Sequence, residues 1–184
     1  MNKEEIEHFY PETKQHWREW LANNHLHKNA VWLIHFKKNS GKPSVAWTDA
    51  VDEALCFGWI DSKAVTIDTD SYKQFYTKRK PKSTWSQVNK DKVERLIADG
   101  KMKEAGLKCI EIAKQNGSWT ILDCIDALEI PKELELAFAS NDGSKEKFEA
   151  LSKSKRKLML YNLMVAKTEV TKSKRIAEIL ELIK

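Results

Sequence analysis

Between Trp47 and Lys78 the hydrophobic period changes once, and that change constrains the fold more than any other feature of the chain. Trp47, Ala50, Val51, Ala54 and Leu55 recur at helical spacing up to Gly58. Gly58 is placed to end the helix in a left-handed cap. Residues 59–67 and 71–78 then read as two strands, and Asp68-Thr69-Asp70 between them is turn chemistry, so a β-hairpin is expected. A helix running into a hairpin reads as α+β. Upstream, Pro11 precedes a helix over about 13–24 with Trp17, Trp20 and Leu21 on one stripe. Ala30–Lys37 is short, aromatic and β-branched, which suits a third strand. Downstream of about residue 100 only helical periods remain.

The expected fold is therefore α+β. A small three-stranded sheet with packed helices occupies the N-terminal half, and the C-terminal half is all helical. The expected division is 1–104 and 105–184, the second part packed against the first. Ser83 is expected to cap a helix whose apolar face is Trp85, Val88, Val93, Leu96 and Ile97. Helices are also expected near 103–115, 131–140, 144–151 and 153–166, the last with Leu158, Tyr161, Met164 and Val165 inward. Thr171 is placed to cap the final helix, with Ile176, Ile179, Leu180 and Ile183 on its face.

Composition bounds the function. The 184 residues are 32% charged, with only six Gly and four Pro, which excludes disorder and collagen-like repeats. No apolar run approaches the ~18 residues of a membrane span, and no signal peptide is visible. Three Cys without C-x-x-C spacing argue against a disulfide framework or zinc site and for a reducing, cytoplasmic setting. The five His form no metal-ligand pattern, and the isolated glycines leave no phosphate-cradling loop. No metal and no cofactor are expected.

The net charge of +5 is uneven: −3 over 1–71, +7 over 72–108, −5 over 109–151 and +6 over 152–184. The basic blocks suit an anionic small molecule, a nucleic acid or an acidic protein. Within the first of them, Arg79, Lys80 and Lys82 precede a helix start, Ser83 and Ser86 lie in its first turn, and Asn89 follows. Trp59, Asp61 and Trp85 complete the candidate ligand site, with Asp61 expected to hold Arg79 or a ligand donor. Free N–H groups at a helix start, cations and aromatic rings together suit an anion bearing a ring. A secondary basic patch comprises Lys155, Arg156, Lys174 and Arg175. Its cations oppose the helix dipole, so carboxylates from 123–149 are expected to fold against this block. The leading expectation is a non-enzymatic binding protein. The alternative is an enzyme on a phosphorylated or nucleotide substrate with Asp61 as general base. Asp52 or Glu53 could also serve as that base, but neighbours on a helix diverge by ~100°, which argues against both facing the site. The oligomeric state is not fixed by these patterns.

Several blocks, in order and covering nearly the whole chain, resemble a known family. Ala50-Val51-Asp52-Glu53-Ala54-Leu55-Cys56-Phe57-Gly58-Trp59-Ile60-Asp61 is similar to the central signature of the YdeI/OmpD-associated, or bacteriocin-protection, family. Tyr76 to Asn89, with Arg79-Lys80-Pro81-Lys82-Ser83-Thr84-Trp85-Ser86 at its centre, resembles the second block. Asn116-Gly117-Ser118-Trp119, Phe148 to Lys157 and Arg175-Ile176-Ala177-Glu178 follow in order. Lys78 stands where the family often has Pro, and Val170 and Lys172 depart from its Glu-Thr-Arg step. The resemblance implies a bacterial stress-protection protein. It brings no settled catalytic activity, cofactor or active site.

Overall fold

The computed structural model describes residues 5–183. The chain divides after Ser118 into two compact units. The first holds β1 (His8–Phe9), α1 (Lys14–Asn24), β2 (Ala30–Phe36), α2 (Trp47–Cys56), β3 (Trp59–Thr66), β4 (Ser71–Lys78), α3 (Gln87–Ala98) and α4 (Glu104–Gln115). Mixed α+β architecture is as expected, but the sheet has four strands, in the order β1-β2-β4-β3. The additional strand, β1, pairs parallel with β2 through His8–Trp32 and Phe9–Leu33. Two residues are too few to display an alternation, so sequence periodicity is blind to it.

One face of the sheet carries the core. Val31, Leu33 and His35 on β2, Gln74 and Tyr76 on β4 and Trp59 on β3 are all buried. The Trp17 indole N–H donates to Ala50 O at 3.0 Å, linking α1 to α2. Its ring meets Tyr76 edge-on at 5.3 Å, and Trp20 meets Trp59 the same way at 5.8 Å. Such aromatic pairs add about 0.5–1.5 kcal/mol each beyond the area they bury.

Helix α2 is wedged between neighbours, and its adjacent carboxylates diverge as helix geometry demands. Glu53 accepts from Arg18 on α1, with Lys14 at 3.6 Å. Asp52 accepts from Lys92 and Arg95 on α3. Both carboxylates are almost fully buried, and the cations offset the desolvation that burial imposes. Helix α4 crosses the end of α2 at Gly106, where a Cβ would stand 2.5 Å from Cys56 O and 2.7 Å from Leu55 O. Only glycine permits that approach. The left-handed Gly58 (φ +74°) ends α2 as expected.

The second unit contains α5 (Ile121–Asp126), α6 (Lys132–Ala139), α7 (Ser144–Glu149), α8 (Lys153–Met164) and α9 (Glu169–Leu182). Ile125, Leu134, Phe138, Phe148, Leu160, Leu163, Ile179 and Ile183 form its core. Three details differ from the sequence reading. On α8 the inward positions are Leu160 and Leu163, while Leu158 and Tyr161 are exposed. Thr168, not Thr171, caps α9; its hydroxyl accepts from Thr171 N. In the first unit, Ser86 rather than Ser83 caps α3, and Val88 and Ile97 face solvent. There the buried stripe is Lys90, Val93 and Leu96, set by a helix that starts at Gln87.

Candidate functional site

The residues singled out between 59 and 89 are distributed unevenly. Trp59 is buried against Trp20. Asp61 does not bond Arg79. Its Oδ2 instead accepts from the Trp47 indole at 3.0 Å and from Gln74 Nε2 at 2.9 Å. Arg79 continues the pairing of β4, its backbone N–H donating to Gly58 O at 2.9 Å. Its side chain turns inward, only 8% exposed, with the guanidinium 3.5 Å above the Trp85 ring and Nη2 donating to Thr84 O at 2.6 Å. Arg79 Nε and Nη1 have no hydrogen-bond partner, and Arg79 forms no ion pair among the described residues. Burial pushes its pKa down to about 10; the Coulomb influences of Cys109 and Asp61 only partly oppose this. Lys80 and Lys82 are exposed and Ser83 is half-buried in a turn closed by its own N–H on Lys80 O. The Ser86 hydroxyl accepts from Asn89 N, a cap that occupies the helix end internally. The structure thus joins Arg79, Thr84 and Trp85, and Ser86 with Asn89. It leaves Lys80 and Lys82 in solvent.

In the secondary patch Lys155 and Lys174 are exposed, Arg156 is half-buried, and Arg175 pairs with Glu178 at 2.6 Å. Carboxylates do fold against this basic block: Lys157 meets Asp126 at 2.5 Å and Lys172 meets Glu133 at 3.7 Å.

A second cluster lies on the sheet face opposite the core. His8 on β1 is paired with Trp32 on β2, and Trp32 with Phe75 on β4. On β3 the register slips between Asp61 and Ala64, so that Ser62 and Lys63 together oppose Phe75. This is a β-bulge. Strict alternation would put Lys63 on the buried face with Asp61; the extra residue turns it outward. Lys63 Nζ then stands 5.4 Å from the Trp32 ring centre and 5.7 Å from that of Phe75. Lys73 Nζ lies 4.8 Å from the Trp32 centre and 3.0 Å from His8 Nε2. The Trp32 and Phe75 rings are 4.7 Å apart, and both are half-buried. The row runs cation, ring, ring, imidazole across all four strands. Trp32 and Phe75 are visible in the sequence as strand residues, but nothing in the spacing announces the bulge.

Residues 9–109, more than half the chain, match the model of a family described as a domain of unknown function (DUF8412). The chain belongs to that family. Residues 127–184 of this DUF8412 protein match the model described as Bacteriocin-protection, YdeI or OmpD-Associated. The resemblance to the YdeI/OmpD-associated family is thus matched over α6 to α9, and not over nearly the whole chain as the motifs suggest. The blocks at 50–61 and 76–89 fall within the DUF8412 match. No curated protein and no solved structure matches the chain. Among the described residues no helix is long and apolar enough to cross a membrane, and no group of three His, Cys, Asp or Glu is placed to hold a metal.

Proposed function

We propose that this protein binds single-stranded nucleic acid on the outer face of its four-stranded sheet, without catalysing a reaction. One observation carries the reading: Trp32 and Phe75 are cross-strand neighbours, with Lys63 and Lys73 poised over their rings. Unpaired bases stack on such rings, each contributing about 1–3 kcal/mol, and lysines beside them meet the phosphates. A net charge of +5 favours encounter with a polyanion. Asp61, the base in the enzymatic alternative, is engaged through Oδ2 by two donors, which favours a positioning role over proton transfer. A stress-protection role is part of the same proposal, supported by the description of the family matched at 127–184; the proposed cytoplasmic setting rests on the free cysteines alone.

The test is fluorescence anisotropy with a labelled twelve-nucleotide single strand. Two lysine–phosphate contacts give a log–log salt slope of about −1.4. Trp32→Ala with Phe75→Ala weakens binding at least about tenfold, with folding checked by circular dichroism. Equal affinity for a duplex of the same length, or an unaffected double variant, overturns the reading.

One further observation favours a second reading, in which Trp59, Arg79, Lys80, Lys82, Ser83, Trp85, Ser86 and Asn89 receive a small anion. Arg79 is a buried cation with two unpartnered nitrogens, and an anion admitted by opening of the 80–84 turn would satisfy them. Weak phosphate or sulfate binding, abolished by Arg79→Met, is the expected result.

A further inference from the structure

The loop between β2 and α2 borders an open cavity of about 490 Å³. Lys37, Lys38 and Lys42 line it together with the rings of Phe36, Trp47 and Tyr72, and no carboxylate side chain does so. Its size lies within the range of small-ligand sites. We infer that this cavity binds a nucleoside monophosphate, the phosphate among the lysines and the base against Trp47. The inference stands apart from the sheet-face reading, because the two share no residue.

Trp47 is the reason for choosing a ligand that bears a ring. Helical spacing makes it the first member of the apolar stripe of α2, yet it is 48% exposed. A large exposed ring has an apolar surface that a stacked partner would cover. The ring is not free to reorient, since its N–H donates to Asp61 Oδ2 at 3.0 Å and Asp61 is itself held by Gln74. A stacking wall fixed in advance loses little conformational entropy when it is used.

The lysines supply the charge recognition. Lys38 is exposed and makes no ion pair among the described residues. Lys42 Nζ lies 4.5 Å from the Phe36 ring centre, and Lys37 Nζ donates to Thr69 O at 2.8 Å. None of the three is in an ion pair with a carboxylate, although Asp68 is close enough for the charge of Lys42 to act on it; three cations against that one carboxylate still leave positive charge at the cavity. The N-cap of α2, Ala46, offers no side-chain acceptor, and the acidic residue of the first turn, Asp49, is paired with Lys14. Three cations and a ring wall match a phosphate ester carrying a heterocycle better than they match either part alone.

Isothermal titration with adenosine monophosphate, adenosine and inorganic phosphate at low salt tests this on the full chain. The monophosphate is expected to bind at least about tenfold more tightly than either fragment. Lys38→Ala with Lys42→Ala and, separately, Trp47→Ala each weaken it by about tenfold or more. Trp47→Phe retains most of the affinity, which separates stacking from a general loss of structure. None of these variants changes oligonucleotide binding on Trp32 and Phe75, so failure of one site is distinguishable from failure of the other. No saturation by about 5 mM monophosphate, or equal affinity for inorganic phosphate, overturns the inference.

Discussion

Replacing Arg79 by methionine removes the charge and keeps much of the side chain's length. Burial lowers the Arg79 pKa from its ordinary value to about 10, equivalent to about 3 kcal/mol against the buried cation at about 1.4 kcal/mol per pH unit. The variant is relieved of that cost. It loses the 2.6 Å bond to Thr84 O and the contact with Trp85, worth roughly 1.5–3 and 0.5–2 kcal/mol in general terms. Part of that loss is already contained in the lowered pKa, and a thioether on an indole recovers about 0.3–1.5 kcal/mol. The expected outcome lies between no change and about 2 kcal/mol of added stability, in line with other buried charges replaced by apolar groups. Urea unfolding followed by tryptophan fluorescence measures it, since six of the seven tryptophans precede residue 119. A loss of more than about 2 kcal/mol would make Arg79 a net structural clamp, and the second functional reading would fall with it.

His35 donates through Nδ1 to Val45 O at 3.1 Å, and burial lowers its pKa below 6.5. The unfolded chain therefore takes up the proton first. Stability should be complete above pH 6.5 and fall as pH drops through it, by up to about 1.4 kcal/mol per pH unit; His35→Asn should flatten a comparison of urea midpoints at pH 5 and 7.5. Gly106→Ala should destabilise the first unit by about 1–3 kcal/mol, read in the same unfolding experiment, because Cys56 O and Leu55 O leave no room for a methyl group; an unchanged midpoint would contradict the close crossing of α2 and α4. Burial pushes the Cys56 and Cys109 thiols up. They should react with Ellman's reagent far more slowly in native protein than in urea, where all three cysteines become available.

How much of this was legible in the chain depends on the length scale of each signal. The stretch α2–β3–β4 was readable because two periods follow one another over some thirty residues, each long enough to exclude the other. Strand β1 was not, because parallel pairing to β2 needs only two residues and no pattern of their own. The cluster at 79–89 was readable as basic and aromatic, but composition does not give direction. Arg79 turns inward because its backbone still pairs with Gly58 and because the Trp85 ring lies across its guanidinium. Trp47 misleads for the opposite reason. It obeys the helical period, but it sits at the first turn, where the stripe runs past the edge of the core. On α8, Leu158 and Tyr161 fit one stripe and Leu160 and Leu163 another, and only the packing of the second unit chooses between them.

The extra residue in β3 makes the character of the outer sheet face depend on chain count as well as composition. Removing either Ser62 or Lys63 would restore simple alternation with all the remaining side chains unaltered in chemistry. No single substitution resets the strand in that way. In this segment insertions and deletions, rather than point changes, are the events that separate a cation-studded face from a bare one, and variants of the chain are best compared there by length before identity.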